Sequence, residues 1–109
     1  MNEPLLQWVS PEQARGIVAR GGCWLDPRLP GERQALGIEG SVNVPLYVLR
    51  TKLAALDRNV PYVAYCDTGR RASAAAYILV ERGFDAYVLK GGLDQSGLPL
   101  VRRGASGTS

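Results

Sequence analysis

The sequence PYVAYCDTGRRASAAAYILVERG occupies residues 61–83 and divides into a strand, a short turn and a helix. Residues 61–65 are rich in side chains that favour a buried strand. Residues 72–82 carry alanine and leucine at helical spacing, and Gly83 stands just past their end, where a glycine commonly stops a helix. The sequence therefore predicts a strand that ends at Cys66 and a helix that begins a few residues later.

The flanking sequence continues this alternation of strands and helices. A capping serine and a proline predict a helix over residues 11–20, and four leucines at spacings of three and four predict one helical stripe over residues 46–56. Residues 27–40, with several prolines and glycines, are predicted to be mostly loop, with one helical turn at residues 32–36. Further short strands are predicted at residues 23–25, 42–44 and 86–89.

Strands and helices that alternate through short turns indicate an α/β fold with a central, mainly parallel sheet and helices on both faces, which makes three layers. Ligands of such sheets bind at the carboxyl ends of the strands. Cys66 follows the carboxyl end of its predicted strand, so it is a candidate site residue.

Length and composition limit the class of protein. The 109 residues are 46% hydrophobic and carry a formal charge of +3, which suits one small domain at residues 1–101 and a flexible tail at residues 102–109. The charge is too small for a nucleic-acid surface, and no apolar run is long enough to cross a membrane. The start has no signal-like run, so the chain is expected to be cytoplasmic, with free thiols at Cys23 and Cys66.

The chain contains no histidine. It therefore cannot form a Cys-His or Ser-His nucleophilic pair or a histidine-containing zinc site, and neither a metal nor a cofactor is expected. A reactive cysteine must be activated in another way. Cys23 lies in an apolar run and is read as core, and three tyrosines of the predicted strands are read as packing residues, not as a surface for stacking bases: Tyr62, Tyr65 and Tyr87.

The turn at residues 66–71 carries the candidate chemistry. Backbone N–H groups of a tight, glycine-containing turn can converge on an anion, and the following helix adds its positive end. A cysteine at the lip of such a turn is expected to be a thiolate, and Arg70 and Arg71 are expected to attract an anionic substrate. The alternative is that Cys66 only fills the core and that both arginines are solvated.

The chain resembles the rhodanese family over residues 9–99. Residues 66–71 are similar to the active loop of that family, and Glu32 lies at the spacing that the family shows. The remaining similar segments are LDPR at residues 25–28, IEGSVNVP at residues 38–45, GF at residues 83–84 and LKGGL at residues 89–93.

The resemblance implies a sulfurtransferase. Cys66 would take the outer sulfur of an anionic donor such as thiosulfate, hold it as a persulfide and pass it to a thiophilic acceptor, either a small molecule or a protein thiol. Asp26 and Arg28 would form a structural ion pair near the loop. The substrate-binding residues would be those of the loop, whose amides support the anionic sulfur and whose arginines steer the donor: Asp67, Thr68, Gly69, Arg70 and Arg71.

The chain departs from the family pattern at several positions. Gly37 stands where a histidine is frequent, and Ala72 stands where a serine is common, so a hydroxyl near the persulfide is missing. Asp67 places a negative charge beside the thiolate, and its carboxylate is expected to point outward. The segment after Gly92 is short and lacks a frequent aromatic residue, which puts the last helix of the family in doubt.

Two other functions stay open. A cysteine phosphatase would place one residue more between cysteine and arginine than separates Cys66 from Arg71, and Ala72 occupies the position that its arginine would need. A domain that senses or carries sulfur without turnover, fused to a partner domain, would need the same loop as an enzyme.

Overall fold

The computed structural model describes residues 5–93 and 100–101. The strands are β1 (Trp8–Val9), β2 (Cys23–Asp26), β3 (Gly37–Ile38), β4 (Val42–Asn43), β5 (Tyr62–Ala64), β6 (Ala86–Leu89) and β7 (Leu100–Val101). The α-helices are α1 (Pro11–Ala19), α2 (Pro30–Ala35) and α3 (Arg70–Glu81), and two 3₁₀ helices cover Leu46–Thr51 and Leu53–Ala55.

Five strands form a parallel sheet in the order β1-β6-β5-β2-β4. Strand β5 lies at the centre, between β6 and β2, and is buried along its whole length. Strands β3 and β7 form a separate antiparallel pair. The predicted α/β fold with a mainly parallel sheet is therefore confirmed.

Alternate residues of β2 and β5 point to opposite sides, so both faces of the sheet carry apolar side chains that pack against helices. On one side, Leu25 and Ala64 pack with alanines and Leu79 of α3 and with the leucines of the 3₁₀ helices. On the other side, Trp24 and Val63 pack with Ala14 and its neighbours on α1. These two apolar clusters give the three layers that the alternating sequence predicts.

Helices α1 and α3 begin in different ways. Ser10 caps α1: its side chain accepts a hydrogen bond from the backbone of Gln13, whose side chain in turn accepts one from the backbone of Ser10. Helix α3 starts after Gly69, at φ +96°, with no side-chain cap. Its first N–H groups therefore need acceptors other than a side chain of the N-cap residue.

Two predicted elements differ in the structure. The helical turn predicted at residues 32–36 is present as a six-residue helix over residues 30–35, and it begins earlier because Pro30 occupies the first helical position, which suits the fixed φ of proline. The predicted helical stripe over residues 46–56 consists of two 3₁₀ helices that are interrupted at Lys52. A 3₁₀ helix aligns residues three apart, so the leucine spacing fits two short segments as well as one α-helix.

Some predictions lie outside the described residues. These are the flexible tail at residues 102–109 and the question of a last helix after Leu93, which concerns residues 94–99. Within the described ranges, no helix has the length and apolar character that a membrane span needs.

Candidate active site

Cys66 lies two residues after the end of β5, at the carboxyl end of the central strand. Residues 67–69 form a bend that leads directly into α3. The loop predicted from the sequence therefore stands between the strand and the helix that were predicted to flank it.

The sulfur of Cys66 accepts hydrogen bonds from two backbone amides. The N–H of Gly69 is 2.9 Å from Sγ, and the N–H of Ala72, in the first turn of α3, is 3.3 Å from it. Two backbone donors and the N-terminus of α3 thus point toward the sulfur. In the sequence analysis the side chain of Ala72 was considered, and the structure shows that its amide reaches the sulfur.

Cys66 is buried, with 1% of its surface exposed. The prediction that it lies at the lip of the turn is wrong, because the two amides draw the side chain to the inside of the loop. In this conformation the residue offers almost no surface to a solute.

A glycine turn packs against the back of the loop. The N–H of Leu93 donates to the carbonyl of Cys66 at 3.1 Å. Gly92, at φ +68°, lies so close to the loop that an added Cβ would overlap the carbonyl oxygen of Asp67. Only glycine fits this approach, so the turn after β6 fixes the position of the loop.

Asp26 and Arg28 form the predicted ion pair. The carboxylate of Asp26 accepts from Nε and Nη2 of Arg28 at 2.9 and 2.8 Å, and both side chains are buried. Burial by itself would lower the pKa of Arg28, but the hydrogen bonds and charge of Asp26 outweigh it and raise that pKa above the usual range. The hydroxyl of Tyr65 also donates to Asp26, at 2.9 Å.

This pair reaches the loop through Asp67. Nη1 of Arg28 is 3.3 Å from Oδ1 of Asp67, and Nη2 of Arg71 is 3.7 Å from Oδ2. The side chain of Asp67 is 55% exposed, in keeping with an outward direction, but its contacts with two arginines were not predicted. Asp67 thereby links the buried ion pair to the start of α3.

Arg71 binds Glu32 of α2 through two hydrogen bonds, of 2.7 and 2.9 Å. The guanidinium of Arg71, together with the amide of Leu29, lowers the pKa of Glu32 from 4.5 to about 2. The spacing of Glu32 was its only signal in the sequence. The structure shows that its carboxylate holds the arginine that was expected to steer a donor.

The other loop residues point to solvent. Thr68 and Arg70 are exposed, and the backbone N–H of Arg70 lies 3.4 Å from the hydroxyl of Thr68. Arg70 makes no ion pair within residues 5–93 and 100–101. Of the two loop arginines, it is therefore the one whose charge is not shared with a carboxylate there.

Cys23 lies away from the loop, at the start of β2 and thus at the opposite edge of the sheet. Its thiol is free, as is that of Cys66. Burial raises the pKa of the Cys23 thiol, against a smaller opposing effect from the backbone of Val42. The sequence interpretation of Cys23 as a core residue agrees with this position.

The loop geometry defines a class of α/β protein that holds a cysteine sulfur in backbone amides at the start of a helix. A family profile described as "Rhodanese-like domain" matches residues 10–96. The thiosulfate sulfurtransferase GlpE of Pseudomonas fluorescens (strain Pf0-1) is 32% identical over 102 residues, which cover 93% of this chain and 94% of that protein.

Solved structures agree with this match. A rhodanese-related protein from Thermoplasma volcanium aligns with a TM-score of 0.78 at 29% identity and covers 87% of this chain and 97% of its own. The reduced CoADR-RHD protein of Bacillus anthracis aligns at 0.74 with 32% identity, over 80% of this chain but 16% of that chain. The chain belongs to the rhodanese-like domain family.

Proposed function

We propose that this domain is a sulfurtransferase that moves sulfane sulfur from a small anionic donor, such as thiosulfate, to a thiophilic acceptor through a persulfide on Cys66. The observation that carries the proposal is the pair of amides, of Gly69 and Ala72, on the sulfur of Cys66. The same two donors would support the thiolate before the reaction. The amides of residues 67–71 would support the charge of the persulfide after it.

In the first step, the thiolate of Cys66 attacks the outer sulfur of thiosulfate. A sulfur–sulfur bond forms on the enzyme, the bond within the donor breaks, and its electron pair leaves with sulfite. In the second step, a thiophile such as cyanide takes the outer sulfur, and the thiolate of Cys66 is restored with thiocyanate as product. No proton transfer is needed in either step, so the absence of histidine from the sequence is compatible with the mechanism.

Because Cys66 is buried, a movement of the chain around its sulfur would open it to a donor. The start of α3 and the turn at Gly92 and Leu93 are two of the segments that contact the loop. Arg70 is exposed and would attract the donor from solution, while Arg71 and Glu32 would keep the loop attached to α2. Asp26 and Arg28 would act as structural support.

Turnover tests this proposal. The purified chain is incubated with thiosulfate and cyanide, and thiocyanate is measured for the wild type, Cys66→Ser and the control Cys23→Ser. We expect thiocyanate from the wild type and Cys23→Ser and none above background from Cys66→Ser. Equal activity of all three proteins would contradict the proposal.

The same measurement separates the alternatives. A domain that carries or senses sulfur, in a longer protein, would take up one sulfur per Cys66 and release it slowly to a small acceptor. A phosphatase would hydrolyse an aryl phosphate without producing thiocyanate. We place the enzyme in the cytoplasm because both cysteines are free thiols, and we expect its acceptor to be a small molecule or a protein thiol.

A further inference from the structure

Arg28 and Arg71, two of the arginines beside the candidate active site, are already bound to carboxylates. Arg28 donates to Asp26 through two nitrogens and to Asp67 through the third. Arg71 holds Glu32 with both terminal nitrogens, and its Nη2 also lies 3.7 Å from Asp67. A guanidinium that is engaged in this way has few N–H groups left for the oxygens of a substrate.

Counted over residues 5–93 and 100–101, this network carries one negative charge in excess. Three carboxylates, of Asp26, Glu32 and Asp67, face two guanidinium groups, of Arg28 and Arg71. Asp67 directly follows Cys66 in the sequence, and its carboxylate is the one that both arginines contact. Arg70 is exposed and adds one positive charge on the solvent side of the loop.

A donor with two negative charges is therefore poorly matched to this loop. The thiolate of Cys66 already adds one negative charge, and each further charge on the donor is repelled again. A donor with one negative charge meets half of that repulsion. It also needs fewer guanidinium contacts, since fewer of its oxygens are charged.

We propose that Asp67 makes the loop select singly charged sulfane sulfur donors, such as thiosulfonates and persulfides, over doubly charged thiosulfate. This inference rests on the proposed function, because it concerns the first step of that reaction. Asp67 acts as a specificity residue in two ways: its charge repels a dianion, and its contacts with Arg28 and Arg71 keep these guanidinium groups from the donor.

Thiosulfate and methanethiosulfonate form a matched pair of donors, because a methyl group in the second replaces a charged oxygen of the first. In both cases the thiolate of Cys66 attacks the outer sulfur, and the bond between the two donor sulfurs breaks. The electron pair leaves with sulfite from thiosulfate and with methanesulfinate from methanethiosulfonate. Cyanide then removes the sulfur from the same persulfide, so kcat/KM for the donor reports the first step alone.

The experiment compares the ratio of kcat/KM for thiosulfate to kcat/KM for methanethiosulfonate in the wild type, Asp67→Asn and Asp85→Asn. Asparagine keeps the shape of Asp67 and removes its charge. Asp85 is exposed and precedes β6, at the edge of the sheet opposite the loop, so its variant makes the same change in net charge far from the site. Because both donors are measured on one preparation, the ratio does not depend on the fraction of folded protein.

We expect the ratio to rise about fivefold in Asp67→Asn, the effect of one unit charge at roughly 4 Å in water, and to stay unchanged in Asp85→Asn. In the wild type, added salt should also raise the ratio, since screening weakens the repulsion of the doubly charged donor more than that of the singly charged one. A ratio that changes equally in both variants would overturn the specificity role while the proposed function stands. Absence of turnover with either donor in the wild type would overturn both.

Discussion

Among single residues, backbone groups make the contacts that hold the sulfur and position the loop. The sulfur of Cys66 is held by the amides of Gly69 and Ala72, and the position of the loop depends on the close approach of Gly92. Backbone groups need no particular side chain, so Ala72 serves where a serine is common. What the backbone does require is glycine at the points of closest approach.

Gly92→Ala should therefore destabilise the domain more than the same substitution at another glycine with a similar backbone conformation. Gly40 has φ +82° with open space around it, so Gly40→Ala should cost only the left-handed strain, about 1–2 kcal/mol. At Gly92 the overlap with the carbonyl of Asp67 adds about 1–3 kcal/mol. Urea unfolding of both variants measures the difference in the free energy of unfolding. Equal losses of free energy would show that the turn at Gly92 is not in tight steric contact with the loop.

At the scale of elements, α2 is tied to the start of α3 by Glu32 and Arg71. The amide of Leu29 binds the same carboxylate, so Glu32 also stabilises the first turn of its own helix. This contact joins two segments that are far apart in the sequence and holds the helix whose first turn carries the amide of Ala72.

The Glu32–Arg71 contact predicts a specific dependence of stability on pH. The folded pKa of Glu32, about 2, lies below its ordinary value of 4.5, so its stabilising effect is complete above pH 4.5 and is lost as the pH falls toward 2. Glu32→Gln lacks this effect. Because both side chains are about one third exposed, the wild type should exceed the variant by only about 1 kcal/mol near neutral pH.

Unfolding free energies of the wild type and Glu32→Gln, measured across this pH range, check the expectation. The difference between the two proteins should shrink as the pH falls from 4.5 toward 2. A difference that stays constant over that range would show that the carboxylate of Glu32 is not held by the charge of Arg71.

The elements that the sequence predicts well are those with local signals. The strand, turn and helix of residues 61–83 and the cap of α1 depend on neighbouring residues, and the structure shows them within a few positions. The contacts of Tyr65 with Asp26 and of Arg71 with Glu32 each join residues 39 positions apart. No local pattern reports such contacts, because they arise only when the sheet brings the segments together.

The burial of Cys66 was considered only as the alternative to a reactive thiol, for a related reason. The turn chemistry indicates where N–H groups converge, but it does not indicate which side of the loop the sulfur takes. That depends on the amide of Ala72 and on the packing of Gly92 and Leu93 behind the loop. The available signal was the glycine pair at residues 91–92, which entered the sequence analysis only as part of a segment similar to the rhodanese family.

At the scale of the whole molecule, the parallel sheet assembles the site. The carboxyl ends of β2, β5 and β6 lie at one edge, so the chain after each strand contributes: Asp26 and Arg28, the loop at Cys66, and the turn at Gly92. Cys23 lies at the other edge of the same sheet. The fold therefore gives two cysteines of one chain different surroundings, and only Cys66 should carry sulfur.

Intact-mass spectrometry after incubation with thiosulfate tests this claim most directly, with Cys66→Ser and Cys23→Ser beside the wild type. We predict that the wild type and Cys23→Ser each gain the mass of one sulfur atom, that cyanide removes it, and that Cys66→Ser gains none. A sulfur gain that survives in Cys66→Ser and is lost in Cys23→Ser would contradict the account.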